Sequence, residues 1–218
     1  MSLNHHDHHH DHALGKDPHA PVEETFTPRA DLRVLEQALR ELLIEKGVFS
    51  ADQLRQQIEA TDSRVPELGA KVVARAWVDA EFKARLLANA KHTISEFLCI
   101  DLSATPDLIV VENTATHHRV ICCTLCSCYP RAVLGVPPAW YKSREYRSRV
   151  VFEPRRVLAE FGTVLPADMT ISVVDSNADM RYIVLPRRPE GTQHLNEAAL
   201  AALVTRDSMV GVSLALQP

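Results

Sequence analysis

Four of the chain's five cysteines fall between Cys122 and Cys128, and three of them form the run Cys123-Thr124-Leu125-Cys126-Ser127-Cys128. Thiols at this density invite three readings. A disulfide is a poor one, because Cys126 and Cys128 are too close in sequence to bridge easily and a reducing cytosol keeps thiols free. A structural zinc site is stronger: Cys123 and Cys126 have knuckle spacing, and Cys128, His117 or His118 could complete a tetrahedron. Such sites ordinarily draw a second ligand pair from a separate segment, and the chain has no second C-x-x-C. The third reading is an ion held by this loop alone, with three sulfurs on one face of an octahedron, two deprotonated backbone amides beside them and one position left for water. Amidates near neutral pH need a strongly polarising ion, such as a trivalent transition metal. Spacing alone leaves the zinc and octahedral readings both open.

Histidine is the other potential ligand in excess. Seven of the eleven lie within the first nineteen residues, interrupted by Asp and Pro. That stretch, residues 1–28, lacks apolar periodicity and reads as a flexible tail with at most loose affinity for divalent metal. A metal-storage or metallochaperone role is therefore one function to weigh. A formal charge of −4 and a pI near 6.2 argue against nucleic acid, whose phosphates attract domains with a pI above about 9. No apolar run reaches the roughly 18 to 20 residues of a membrane span, so the expected compartment is the cytoplasm.

The elements that must position the cysteines come in two blocks. Leu32, Leu35, Leu39, Leu42 and Leu43 recur at helical spacing, with Asp31 as N-cap and Gly47 as stop. Ser50 and Gln53 form a capping box for a second helix carrying Leu54 and Ile58. Pro66 to Gly69 reads as a break, followed by helical pattern through Val72, Val73, Ala76, Trp77, Phe82, Leu86 and Leu87, with Asp79 capping a separate helix. Beyond residue 100, Leu108 to Asn113 and Arg119 to Cys123 read as strands. Pro154 to Phe161 reads as a helix stopped by Gly162. Ile171 to Val174 and Arg181 to Leu185 read as a strand pair around Asp175 to Asp179, Asn196 to Val204 as a helix, and Val210 to Leu216 as a last strand. His117 and His118 are expected on a surface turn, Cys99 and Cys122 as buried bystanders, and Trp140, Tyr141 and Tyr146 in a core or interface. The arginines from Arg144 to Arg149 are expected to face a partner subunit or solvent.

On these residues the chain resembles a known family. The strings CTLCSCYP, VLG-PPAWYK, YRSRVV, EP-R-VLAEFG, RY-VLP-RP-GT and LVTRDSM-GV, with EKGVFSA and GAKVVARAWVD in the helical block, are similar to the metal-binding alpha subunit of nitrile hydratase and to the gamma subunit of thiocyanate hydrolase. The resemblance runs from about Ala30 to the end. It implies an α+β protein divided into a tail (1–28), a helical arm (29–100) and a layered α/β/β/α metal-binding domain (101–218). It also implies that Cys123, Cys126 and Cys128 bind through sulfur, and Ser127 and Cys128 through backbone nitrogen, one low-spin Co(3+) per chain. Thr124 matches the cobalt type, where the iron type usually has serine. Cys126 would be a sulfinate and Cys128 a sulfenate, and an obligate beta-type partner subunit would supply arginines to their oxygens. The candidate attacking oxygens are a hydroxide at the metal and the sulfenate oxygen of Cys128, with Ser127 available to hydrogen-bond the reacting group.

One position bears on the substrate. After Tyr129-Pro130 nitrile hydratases usually carry tryptophan, whereas this chain has Arg131, as thiocyanate hydrolase does. A guanidinium favours an anion such as thiocyanate, and an aromatic wall favours a neutral nitrile; Arg131 could equally pair with a carboxylate of the partner. Asp175-Ser176-Asn177, Glu190 and the His-rich tail also lean to thiocyanate hydrolase, while the short Cys99 to Val111 connection, the VVENT stretch and the end near Pro218 lean to nitrile hydratase. Hydration of a nitrile to an amide is the leading expectation, thiocyanate hydrolysis to carbonyl sulfide and ammonia the alternative. Asp175 and Arg181 are weaker candidates for orienting the cysteine loop.

Overall fold

The computed structural model describes residues 30–218; the His-rich tail lies outside them. The chain begins with α1 (Ala30–Glu45), which starts one residue ahead of the expected cap at Asp31 and gives way to Gly47 at φ +67°. Helix α2 (Ala51–Asp62) has the expected capping box: Ser50 Oγ accepts from the Gln53 amide at 3.1 Å, and Gln53 Oε1 accepts from the Ser50 amide at 2.8 Å. Pro66 does not break the chain. It opens α3 (Pro66–Val78) from the first turn, where its missing N–H has no helical partner to lose. Asp79 caps α4 (Ala80–Ala88), accepting from the Phe82 amide at 2.9 Å. Asn89 does the same for α5 (Ala90–Leu98) through the His92 amide, a division that apolar periodicity alone conceals.

The helical block is not one arm. Helix α2 buries no residue, and the α1 leucines Leu32, Leu35 and Leu39 are each at least half exposed. Helices α3, α4 and α5 instead send Val72, Val73, Phe82, Leu86 and Ile94 into the core cluster that the strands share. Among the described helices, only α1 and α2 contribute nothing to it, and the α1 leucine stripe is left open.

Strand β1 (Asp107–Glu112) and strand β2 (His117–Cys122) follow. Four helices come next: α6 (Arg131–Leu134), α7 (Ala139–Lys142), α8 (Arg144–Phe152) and α9 (Pro154–Glu160). Then come β3 (Thr170–Asp175), β4 (Met180–Leu185), α10 (Glu197–Ala202) and α11 (Arg206–Val210). The fold is thus mixed helix and sheet, but the strand pairing differs from expectation. Neighbours β3 and β4 do not form a hairpin. Strand β3 pairs in parallel with β2, His117 opposite Thr170 and Cys122 opposite Asp175, while β4 pairs in parallel with β1. Asn177 makes the separation: its side-chain oxygen accepts from the Asp179 and Met180 amides and turns the chain from one small sheet into the other. Parallel pairing requires a long crossover, which α6 to α9 provide between β2 and β3.

Four further expectations are corrected. Val210 to Leu216 is no strand; Thr205 and Ser208 form a capping box that starts α11, and Gly211 ends it at φ +90°. His117 and His118 lie in β2 rather than on a turn. His118 is buried between Asn113 Nδ2 at 3.1 Å and the Gly211 carbonyl at 2.7 Å, and burial holds its pKa below the usual imidazole value, so the neutral ring is favoured. Cys99 is exposed at the end of α5 with φ +52°, whereas Cys122 is buried as expected. Arg149 faces neither partner nor solvent: it is 3% exposed and paired with Glu153 and Glu160.

Gly211 packs its backbone against β2, and a Cβ there would lie 2.1 Å from the Arg119 carbonyl oxygen. Gly211→Ala is expected to cost about 2–4 kcal/mol through clash and strain together. Gly191 also has positive φ but open space around it, so Gly191→Ala should cost only about 1 kcal/mol. Chemical unfolding of the two variants measures the gap; equal losses would refute a close contact at Gly211.

Candidate metal centre

The cysteine loop leaves the end of β2 and closes on α6. Its entry is fixed by sheet pairing: the Ser176 amide donates to the Cys122 carbonyl at 2.8 Å, just beyond the last paired residues. Because Cys122 lies opposite Asp175, that carboxylate ends beside the loop. It accepts from the Thr124 amide at 2.9 Å and from the Thr124 hydroxyl at 2.6 Å. Two buried phenols donate to backbone carbonyls, one in β2 before the loop and one at the loop's end. The Tyr146 hydroxyl donates to the Ile121 carbonyl at 2.7 Å and the Tyr141 hydroxyl to the Cys128 carbonyl at 2.8 Å. Both belong to an aromatic cluster with Trp140, Phe161 and Tyr129, with neighbouring ring centroids 4.8 to 6.2 Å apart.

Within this frame the three predicted sulfurs converge. Cys123, Cys126 and Cys128 Sγ lie within 4.8 Å of one another and could hold a metal ion. Cys126 Sγ is 3.4 Å from Cys123 Sγ and 3.1 Å from Cys128 Sγ. These separations discriminate between metal geometries. Sulfurs about 2.3 Å from a shared ion stand about 3.3 Å apart at right angles but about 3.8 Å apart at tetrahedral corners. The two separations that involve Cys126 lie nearer the right-angle value, and all three sulfurs fall within 4.8 Å.

Electrostatics divides the three. The Cys126 thiol is exposed and drawn down to about 7, first by hydrogen bonds from the thiols of Cys128 and Cys123, then by the Ser127 and Cys128 backbone N–H groups turned toward it. Burial pushes Cys128 the other way, to about 12, against a weaker pull from the Arg181 charge.

The remaining candidates are unevenly placed. Ser127 is half-buried between the cysteines, and Arg131, the first residue of α6, is exposed. Its guanidinium makes no hydrogen bond or ion pair among the described residues. Arg147 reaches back to the Thr124 carbonyl at 3.5 Å. The hydroxyl anchors of Tyr141 and Tyr146 are invisible in the sequence, where both residues read only as apolar bulk.

The family model described as "Nitrile hydratase, alpha chain" matches residues 30–213. The chain belongs to the nitrile hydratase alpha-chain family. Among curated relatives, it is 46% identical over 203 residues to the low-molecular weight cobalt-containing nitrile hydratase subunit alpha of Rhodococcus rhodochrous, covering 92% of this chain and 97% of that one. It is 42% identical over 196 residues to the thiocyanate hydrolase subunit gamma of Thiobacillus thioparus, covering 85% and 80% respectively. Among solved structures, a recombinant thiocyanate hydrolase with partially modified cobalt centres superposes with a TM-score of 0.81 at 41% identity, over 86% of this chain and 91% of that one. The family therefore includes relatives of both substrate types.

Asp175 is the carboxylate that fixes the entry of the cysteine loop. Asp175→Ala is expected to weaken metal affinity about tenfold, and Asp175→Asn, which keeps one acceptor, by less. Titration of the metal-free protein with Co2+ reads both, and wild-type affinity in the alanine variant would show that the Thr124 bonds do not matter.

Proposed function

We propose that the chain is the metal-binding catalytic subunit of a cobalt-type nitrile hydratase, adding water across the C≡N bond of a nitrile to give an amide. The observation that carries this reading is the three-sulfur cluster, with Cys126 3.1 and 3.4 Å from its neighbours, in a chain whose cobalt-containing relative matches nearly end to end. In it, Cys123, Cys126 and Cys128 hold Co(3+) through sulfur, one ion per chain, with the backbone nitrogens of Ser127 and Cys128 beside them. When bound, cobalt supplies Lewis-acid polarisation of a C≡N group that is otherwise a poor electrophile.

The chain's own residues supply the rest. Exposed Cys126, as sulfinate, presents oxygens at the rim of the loop, and buried Cys128, as sulfenate, carries one beside it; arginines of a beta-type partner subunit hydrogen-bond them. The Cys128 oxygen is a candidate to attack the carbon, and the Ser127 hydroxyl could donate to the nitrile nitrogen or accept from the attacking water. Water contributes its oxygen to carbon and its protons to nitrogen, so the amide forms without any redox change. The exposed α1 leucines and the open apolar side chains Leu125 and Phe152 at the loop suit burial under that partner. With this reading go a layered α/β/β/α arrangement of residues 101–218 and a cytoplasmic location; no described helix is long and apolar enough to cross a membrane.

A second reading rests on Arg131. An exposed, unpaired guanidinium three residues beyond Cys128 suits an anionic substrate, and a thiocyanate hydrolase subunit is among the relatives. Turnover of acrylonitrile and of thiocyanate by the purified complex separates the two. Acrylonitrile hydration is the expected outcome, and exclusive use of thiocyanate would overturn it. Arg131→Trp should lower the ratio of thiocyanate to nitrile turnover by about tenfold, the worth of one lost charged contact. An unchanged ratio would remove Arg131 from substrate selection.

A further inference from the structure

Resting on the metal-centre reading above, we propose that Tyr141 is a positioning residue of that centre. Its hydroxyl fixes Cys128 before any metal arrives and thereby sets the separation of the Cys126 and Cys128 sulfurs. Cys128 closes the loop, and the residue after Tyr129 is Pro130, which has no N–H to offer a neighbouring carbonyl. Among the described residues, the Tyr141 hydroxyl is the hydrogen-bond partner of the Cys128 carbonyl, at 2.8 Å in a buried setting. Cys128 contributes two donor atoms on this reading, its sulfur and its amide nitrogen, so one hydrogen bond governs the placement of both.

The phenol is itself immobile. Tyr141 is fully buried and packs edge-on against Tyr129 at 4.9 Å and Trp140 at 5.9 Å, and at a tilt against Tyr146 at 5.8 Å. Removing its hydroxyl would leave a buried carbonyl without a partner, and the loop would have to move to satisfy it. The metal then meets sulfurs that are no longer at their set spacing, an outer-sphere effect on affinity and spectrum rather than a loss of a ligand.

The structure contains a matched control. Tyr146 is equally buried and donates an equally short bond, but to Ile121, which β2 already holds opposite Val174 of β3. Its hydroxyl reinforces a strand, whereas that of Tyr141 holds the loop. Loss of either should lower stability, and only loss of Tyr141 should reach the metal.

The test uses the complex of this chain with its partner subunit, as wild type, Tyr141→Phe and Tyr146→Phe. Three quantities are measured: the thermal midpoint, the Co2+ concentration that half-loads the metal-free complex, and the wavelength of the sulfur-to-cobalt charge-transfer band after loading. Both variants are expected to lose comparable thermal stability. Tyr141→Phe should raise the half-loading concentration at least about fivefold and shift the band, while Tyr146→Phe leaves both near wild type. Incorporation of 4-aminophenylalanine at position 141, which keeps a donor, should restore both readouts, and it carries the test if the phenylalanine variant does not fold. Wild-type loading and spectrum in Tyr141→Phe, an equal disturbance in Tyr146→Phe, or no restoration by the amino analogue would overturn the proposal. A wild-type complex without cobalt or charge-transfer absorption would overturn the metal reading itself, and this one with it.

Discussion

Three cysteine sulfurs gathered within 4.8 Å of one another on a single six-residue turn, with Cys126 only 3.1 and 3.4 Å from the other two, are the constraint around which the rest of the molecule is arranged. Such a turn has no regular hydrogen-bond ladder of its own, and thiols that close repel as soon as more than one loses its proton. The spacing therefore has to be imposed from outside. The surroundings do this at three points: the β2 to β3 pairing below the loop, the Asp175 carboxylate at its start and the Tyr141 hydroxyl at its end, while the Tyr146 hydroxyl reinforces β2.

Each anchor belongs to a different layer of the structure. Asp175 is positioned by strand register, and a shift of one residue would turn it to the other face. The tyrosines are positioned by two short helices whose side chains interlock with Trp140 and Phe161. Arg149, buried between Glu153 and Glu160, ties α8 to α9 and so steadies the segment that carries Tyr146. Helices α3 to α5 close the core from the other side. This division leaves the open rim of the loop, with exposed Cys126 and Leu125, as the face available for chemistry and for a second subunit.

What the sequence discloses follows from the range of the interactions concerned. The Ser50 and Gln53 capping box and the Asp79 cap are contacts across three residues, and they were legible as such. The three converging cysteines are legible because their spacing is itself the motif. Strand partnership was not: β3 and β4 are close in sequence yet join different sheets, and nothing in their alternation records the choice. His118 looked like a turn residue because its acceptor, the Gly211 carbonyl, is supplied by a distant helix end. The Val210 to Leu216 segment looked like a strand because apolar runs outweigh a capping box when read by periodicity alone. For the same reason Tyr141 and Tyr146 read as bulk, since a hydroxyl's partner is settled only when the aromatic cluster assembles.

The central claim is that this loop holds one trivalent ion through oxidised cysteines. The most direct measurement is cobalt content combined with the mass of the peptide spanning Cys123 to Cys128 from the purified complex. One cobalt per chain, with two added oxygens on Cys126 and one on Cys128, is the predicted result. Zinc in the loop with unmodified thiols, or several labile ions and no added oxygen, would contradict it.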